Sequence, residues 1–141
     1  MEDLSAEAKE LLSRVAAVDA DNTAWLDLMV SRHGWPTGGQ AARDAWLLAQ
    51  HADAQVDVQR RFLEAMQLAG ADPKLVAYLT DRVRLNHGEP QLFGTQMLIR
   101  RGEVILRPLA EPETVDERRA SVGLGPVSEY LAHVADQFGI G

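Results

Sequence analysis

A chain of 141 residues, 46% of them apolar, is long enough to bury a core as a single domain over 1–141, which excludes wholesale disorder. The absence of cysteine removes disulfides, thiolate catalysis and cysteine-ligated metal centres, and it agrees with a cytoplasmic location. A net charge of −7 argues against a nucleic-acid partner, because a phosphate backbone requires a basic face.

The start, MEDLSAEAKELL, is acidic and lacks the basic-then-apolar pattern of a secretion signal. No apolar run is long enough to span a bilayer, so no membrane partner is expected. Ser5 is a helix cap, and Leu11, Leu12, Val15 and Val18 form a helical apolar stripe after it. Leu26, Met29 and Val30 continue the stripe to about His33, as one helix or as two joined by a kink where Asp19, Asp21 and Asn22 interrupt it. Gly34 is a left-handed stop.

GWPTGG is a loop, and Thr37 with Gln40 resembles a capping box. The pattern that follows predicts one long helix through Met66, ending near Gly70. Asp72 and Pro73 open another, as cap and first helical residue, to about Leu85. The period then changes: QLFGTQMLIRRGEVILRPL predicts strands near 91–100 and 103–108 around a turn at Arg101–Gly102. Thr114 with Glu117 suggests a cap for a short helix over VDERRAS. Pro126 begins the last helix, with a stripe of Val127, Tyr130, Leu131, Val134 and Phe138. The fold class expected is α+β, mainly α: four to six helices with one β-hairpin near 91–108.

Polar residues along core-facing rows are the candidates for chemistry. His51, Gln55 and Gln59 are spaced four apart on the expected long helix, and Gln59 falls inside its apolar arc. A buried amide costs a few kcal/mol unless it finds partners, so Gln59 implies either a ligand or a bonded network bracing a loop. Arg82 lies beside the apolar face of its helix, and an arginine there suits a carboxylate or phosphate, or a structural ion pair. Gln91, Gln96, Arg118 and Arg119 add amides and charges from other segments, and Gly94 inside a strand suggests a bulge or a tight contact. Trp46 and Tyr78 read as core; Trp25, Trp35 and Trp46 together are also possible interface anchors.

GWPT (34–37), QHAD (50–53) with Gln59, YLTDRV (78–83), QLFGTQ (91–96) and DERRASVGLGPVSEYL (116–131) occur in that order. The set resembles an uncharacterised bacterial family, a domain of unknown function, over nearly the whole chain. The resemblance implies a small soluble single-domain protein and brings no reaction with it. It is associated with a tyrosine where this chain has Phe93, which weakens any role for a hydroxyl there.

Three functions compete. The favoured one is a small-molecule-binding protein, read as an enzyme, with its site in a cleft between the long helix and the hairpin. His51 would be the general acid or base and Arg82 the anion holder, with Gln55, Gln59, Gln91, Gln96, Asp53, Arg118 and Arg119 binding the substrate. No cofactor is implied. A non-catalytic protein-binding or regulatory module is the alternative. A metal-dependent enzyme using His51, Asp53, His87 and His33 is the third, although H-x-D on a helix does not put both ligands on one face.

Overall fold

The computed structural model describes residues 5–140. Met1 to Leu4, part of the acidic start, and Gly141 lie outside the described residues. Ser5 caps helix α1 (Ala6–His33) as expected, its hydroxyl accepting from the Ala8 N–H at 3.1 Å. The helix runs unbroken through Asp19, Asp21 and Asn22, and Gly34 stops it at a positive φ of 75°. Only its C-terminal half packs on the domain. Thr23 and Leu26 are buried, whereas every residue from Ala6 to Val18 except Ala8 is exposed.

The expected long helix is two. Helix α2 (Gly39–Gln50) ends at His51, the chain turns through Asp53, and helix α3 (Val56–Leu68) begins after Gln55. The apolar pattern alone permitted a continuous helix. The side chain of Gln59 decides otherwise, because its amide donates to the carbonyls of Ala49 (3.0 Å) and Gln50 (3.4 Å) and so caps the end of α2. Folding back also lets Ala49, Ala52, Phe62, Leu63 and Met66 share one core with Leu26 and Trp35. The capping box at Thr37 does not form: Gly38 is the cap, and Gln40 bonds to the Asp44 carboxylate instead.

Helix α4 (Pro73–Asn86) opens as read from sequence, with the Asp72 carboxylate accepting from the Lys74 N–H. It packs against α3 and α2 and contributes Ala77, Leu79 and Val83 to the interior. Trp35 is buried, Trp46 is half-buried with its indole N–H on the Leu75 carbonyl, and Trp25 is exposed.

The hairpin is shorter than expected. Strands β1 (Met97–Arg100) and β2 (Glu103–Leu106) pair antiparallel around Arg101 and Gly102, both at positive φ. Residues 91–96 form a loop, because side chains take up the backbone groups that a longer ladder would have used. The hairpin packs on helix α6 (Val127–Gln137). The expected cleft between the long helix and the hairpin is therefore not a contact of neighbours. Along the chain, a 3₁₀ turn (Pro112–Thr114) and helix α5 (Val115–Ser121) connect the hairpin to α6. Thr114 precedes α5 without capping it through its side chain, since its hydroxyl donates to the Glu111 carbonyl. Among the described residues, six helices and one two-stranded sheet make the fold α+β, mainly α. Among the described residues no helix is long and apolar enough to cross a membrane.

Candidate functional site

Arg82 and Asn86 are one turn apart on α4 and face the α2–α3 turn. Arg82 grips Asp53 through two parallel hydrogen bonds, Nε to Oδ1 at 2.9 Å and Nη2 to Oδ2 at 2.6 Å. Asn86 donates to Asp53 Oδ1 at 2.8 Å and to Gln59 Oε1 at 2.9 Å. The Gln59 amide, fully buried, donates to Asp53 Oδ1 at 3.1 Å as well as to the α2 carbonyls. Partial burial works to raise the Asp53 pKa. Hydrogen bonds from Arg82, Asn86 and Gln59, with the charge of Arg82, outweigh it, so the carboxyl is held below its ordinary value. The ion pair is partly open to solvent, with side chains 31% and 42% exposed. Gln50, buried beside it, has its Oε1 3.5 Å from Arg82 Nη1 and its Nε2 without a partner among the described residues.

A second polar cluster surrounds the loop 91–96. The side-chain amide of Gln91 behaves like a peptide group: Nε2 donates to the carbonyls of Gln96 and Arg107, and Oε1 accepts from the Gln96 N–H, all at 2.9 Å. Asp81, also fully buried, accepts the N–H groups of Leu92, Phe93 and Thr95 and the Thr95 hydroxyl. Arg118 donates to the carbonyls of Leu92 and Ala110 and to the Thr114 hydroxyl. Arg119, 3% exposed, donates to the carbonyls of Phe93 and Gly125 while its guanidinium lies 5.2 Å from the centre of the Tyr130 ring. Burial, with the Tyr78 hydroxyl beside it, raises the Tyr130 phenol above its ordinary pKa.

The profile of one protein family matches residues 3–141, nearly the full chain. The chain belongs to that family of unknown function, DUF6624. No curated protein and no solved structure matches it. For this member of the family, then, geometry alone assigns roles to the candidate residues.

Of the residues singled out in the sequence, Asp53, Gln59 and Arg82 come together in the first cluster. Gln91, Gln96, Arg118 and Arg119 belong to the second, where Gln91, Arg118 and Arg119 are bonded chiefly to main-chain carbonyls. His51 and Gln55 join neither cluster and are exposed at the ends of α2 and α3. With Asp53 and with Asp19 of α1 they line a hollow of about 200 Å³. His87 bonds through Nδ1 to the Val83 carbonyl, and its Nε2 stands 3.9 Å from Asp57. His33 is at the C-terminal end of α1, away from the turn that carries His51. Among the described residues no three metal-ligating side chains are grouped as a metal site would need.

Sequence reasoning missed Asn86, Gln50 and the role of Asp81. Asn86 was legible as the residue one turn after Arg82. The role of Asp81 was not legible, since it points about 160° away from Leu79 and Val83 around the helix, off their apolar face. Gln50 carried no such signal while α2 and α3 read as one helix.

Proposed function

We propose that the chain is a non-catalytic interaction module that works through α1. One observation carries this reading: the N-terminal half of α1 is an exposed helix with an apolar stripe. Leu11 is 61% exposed, Leu12 55%, Val15 49% and Val18 56%. The stripe lies on the same side of the helix that packs Leu26 and Val30 onto the domain about two to three turns later. A stripe of this kind ordinarily faces a core. Here the helix outruns its own domain by roughly 20 Å, and an isolated helix of that length is marginal in water. A partner that covers the stripe supplies the missing packing. By contrast, most of the buried polar side chains that suggested chemistry are bonded to the main chain or to one another, which supports a bracing role for them.

The test is the size of the native complex. In extract of the native host, the chain is expected to elute well above the size of one chain, and Leu11→Asp with Val15→Asp should return it to that size. Elution of the unaltered chain as a free single molecule sinks the reading.

A second reading keeps small-molecule binding, and the observation favouring it is the hollow lined by Asp19, His51, Asp53 and Gln55. The Asp19 carboxylate suits an amine- or hydroxyl-bearing ligand, and the exposed His51 imidazole stands beside it as a second polar contact. A thermal-shift screen of such compounds should give at least one that raises the melting midpoint of the protein but not of His51→Ala. A screen with no such compound counts against this reading.

A further inference from the structure

We propose that the partner of α1 is a second copy of this chain, paired antiparallel, α1 against α1; this rests on reading the exposed stripe as an interface. Leu11, Val18 and Trp25 recur every seven residues, and Ala8, Val15, Asn22 and Met29 recur on the adjacent row. Those two rows are the seam of a paired helix. The seam is uncovered in the isolated chain where it matters: Leu11, Val15, Val18 and Trp25 are all exposed, Trp25 by 56%.

Charge sets the direction and the register. Laid antiparallel about a point between Val15 and Val18, the seam puts Val15 of each copy against Val18 of the other, and Ala8 against Trp25. Arg14, on the flank of the seam, then faces Asp21 of the second copy, and the two-fold axis repeats the pair. Antiparallel pairing also sets each helix dipole against its opposite. Asn22, on the seam, faces Leu11 of the second copy; a polar residue at such a position costs stability and fixes register. A membrane surface suits the helix less well. Its polar side carries Glu7, Glu10, Asp21 and Asp27 against Lys9 and Arg14, whereas binding to anionic lipid needs a basic face.

Sedimentation equilibrium of the full chain tests this. Twice the chain mass is expected for the unaltered protein and a single chain for Val15→Asp with Val18→Asp, with the NMR spectrum of the Leu26–Phe62 core unchanged. Arg14→Asp should raise the dissociation constant roughly tenfold. Adding Asp21→Arg to that variant should restore it, and adding Asp19→Arg, which would rescue a parallel pair, should not. A single-chain mass at every concentration overturns the inference. If Leu11→Asp with Val15→Asp still breaks a larger complex from the host, the interaction reading survives with a different partner. A single-chain mass together with binding to phosphatidylglycerol–phosphatidylcholine vesicles overturns both. A dimer that survives Val15→Asp with Val18→Asp, or one rescued by Asp19→Arg, overturns the proposed pairing.

Discussion

Asp81 and Arg82 are neighbours on α4 and hold two different loops. Adjacent helical residues point about 100° apart, so Asp81 reaches the backbone of residues 92–95 while Arg82 reaches Asp53 in the α2–α3 turn. One helix therefore fixes both polar clusters, and its position couples the helical half of the domain to the hairpin half.

Asp81→Ala removes the acceptor for three buried or half-buried N–H groups and one hydroxyl. Each donor left unpaired costs about 1–3 kcal/mol, so unfolding in denaturant should show a loss of at least about 3 kcal/mol. Amide exchange at Leu92, Phe93 and Thr95 should quicken more than exchange in α3. Uniform quickening across the domain would mean that Asp81 stabilises the fold without specifically holding this loop.

The Asp53–Arg82 pair predicts a pH dependence. The folded-state pKa of Asp53 is lowered. Its contribution is therefore fully present above the unfolded-state pKa and is lost as pH falls through the folded value. Asp53→Asn should lose stability at neutral pH and show a flatter stability profile in acid than the unaltered chain. Arg82→Ala should cost about 1–2 kcal/mol at neutral pH, between the values for exposed and buried pairs, because both side chains are partly solvated. Parallel acid profiles for the unaltered chain and Asp53→Asn would place the acid sensitivity elsewhere.

Much of the fold was legible because local chemistry fixes it. Ser5 and Asp72 cap their helices and the Arg101–Gly102 turn closes the hairpin, each through contacts within a few residues. The break between α2 and α3 was not legible, because it depends on Gln59 reaching back to Ala49 and on Asp53 meeting a helix far along the chain. The candidate site divides in the same way. Polarity in apolar rows marked Gln59, Arg82 and Gln91 as buried groups needing partners, but periodicity could not say whether a ligand or the main chain supplied them. The stripe of α1 was legible too; its exposure was not, since pattern does not reveal where the rest of the domain stops.

Gly94 sits at φ +64°, and a Cβ there would meet Val127 Cγ2 at 3.1 Å. The left-handed backbone costs a non-glycine residue about 1–2 kcal/mol, and the Val127 side chain must also give way slightly to admit the methyl group. Gly94→Ala should therefore destabilise by about 2 kcal/mol, and Val127 signals in an NMR spectrum should move. An unchanged melting midpoint would mean that the loop re-forms in another conformation at little cost.

His51 and Gln59 began as members of one row of polar residues, and their substitutions should now diverge. Gln59 is fully buried and donates to Ala49, Gln50 and Asp53, while its carbonyl accepts from Asn86. Gln59→Leu keeps most of the volume but strips the cap from α2 and leaves Asn86 short of an acceptor, which should cost about 2–3 kcal/mol. His51 is exposed, and the bonds that place it are those of its backbone N–H to Leu47 and Leu48. His51→Ala should therefore change stability by less than about 0.5 kcal/mol. Denaturant midpoints of the two variants decide the point. Equal losses would mean that the imidazole braces the turn as Gln59 does, leaving it unavailable to a ligand in the hollow beside Asp19.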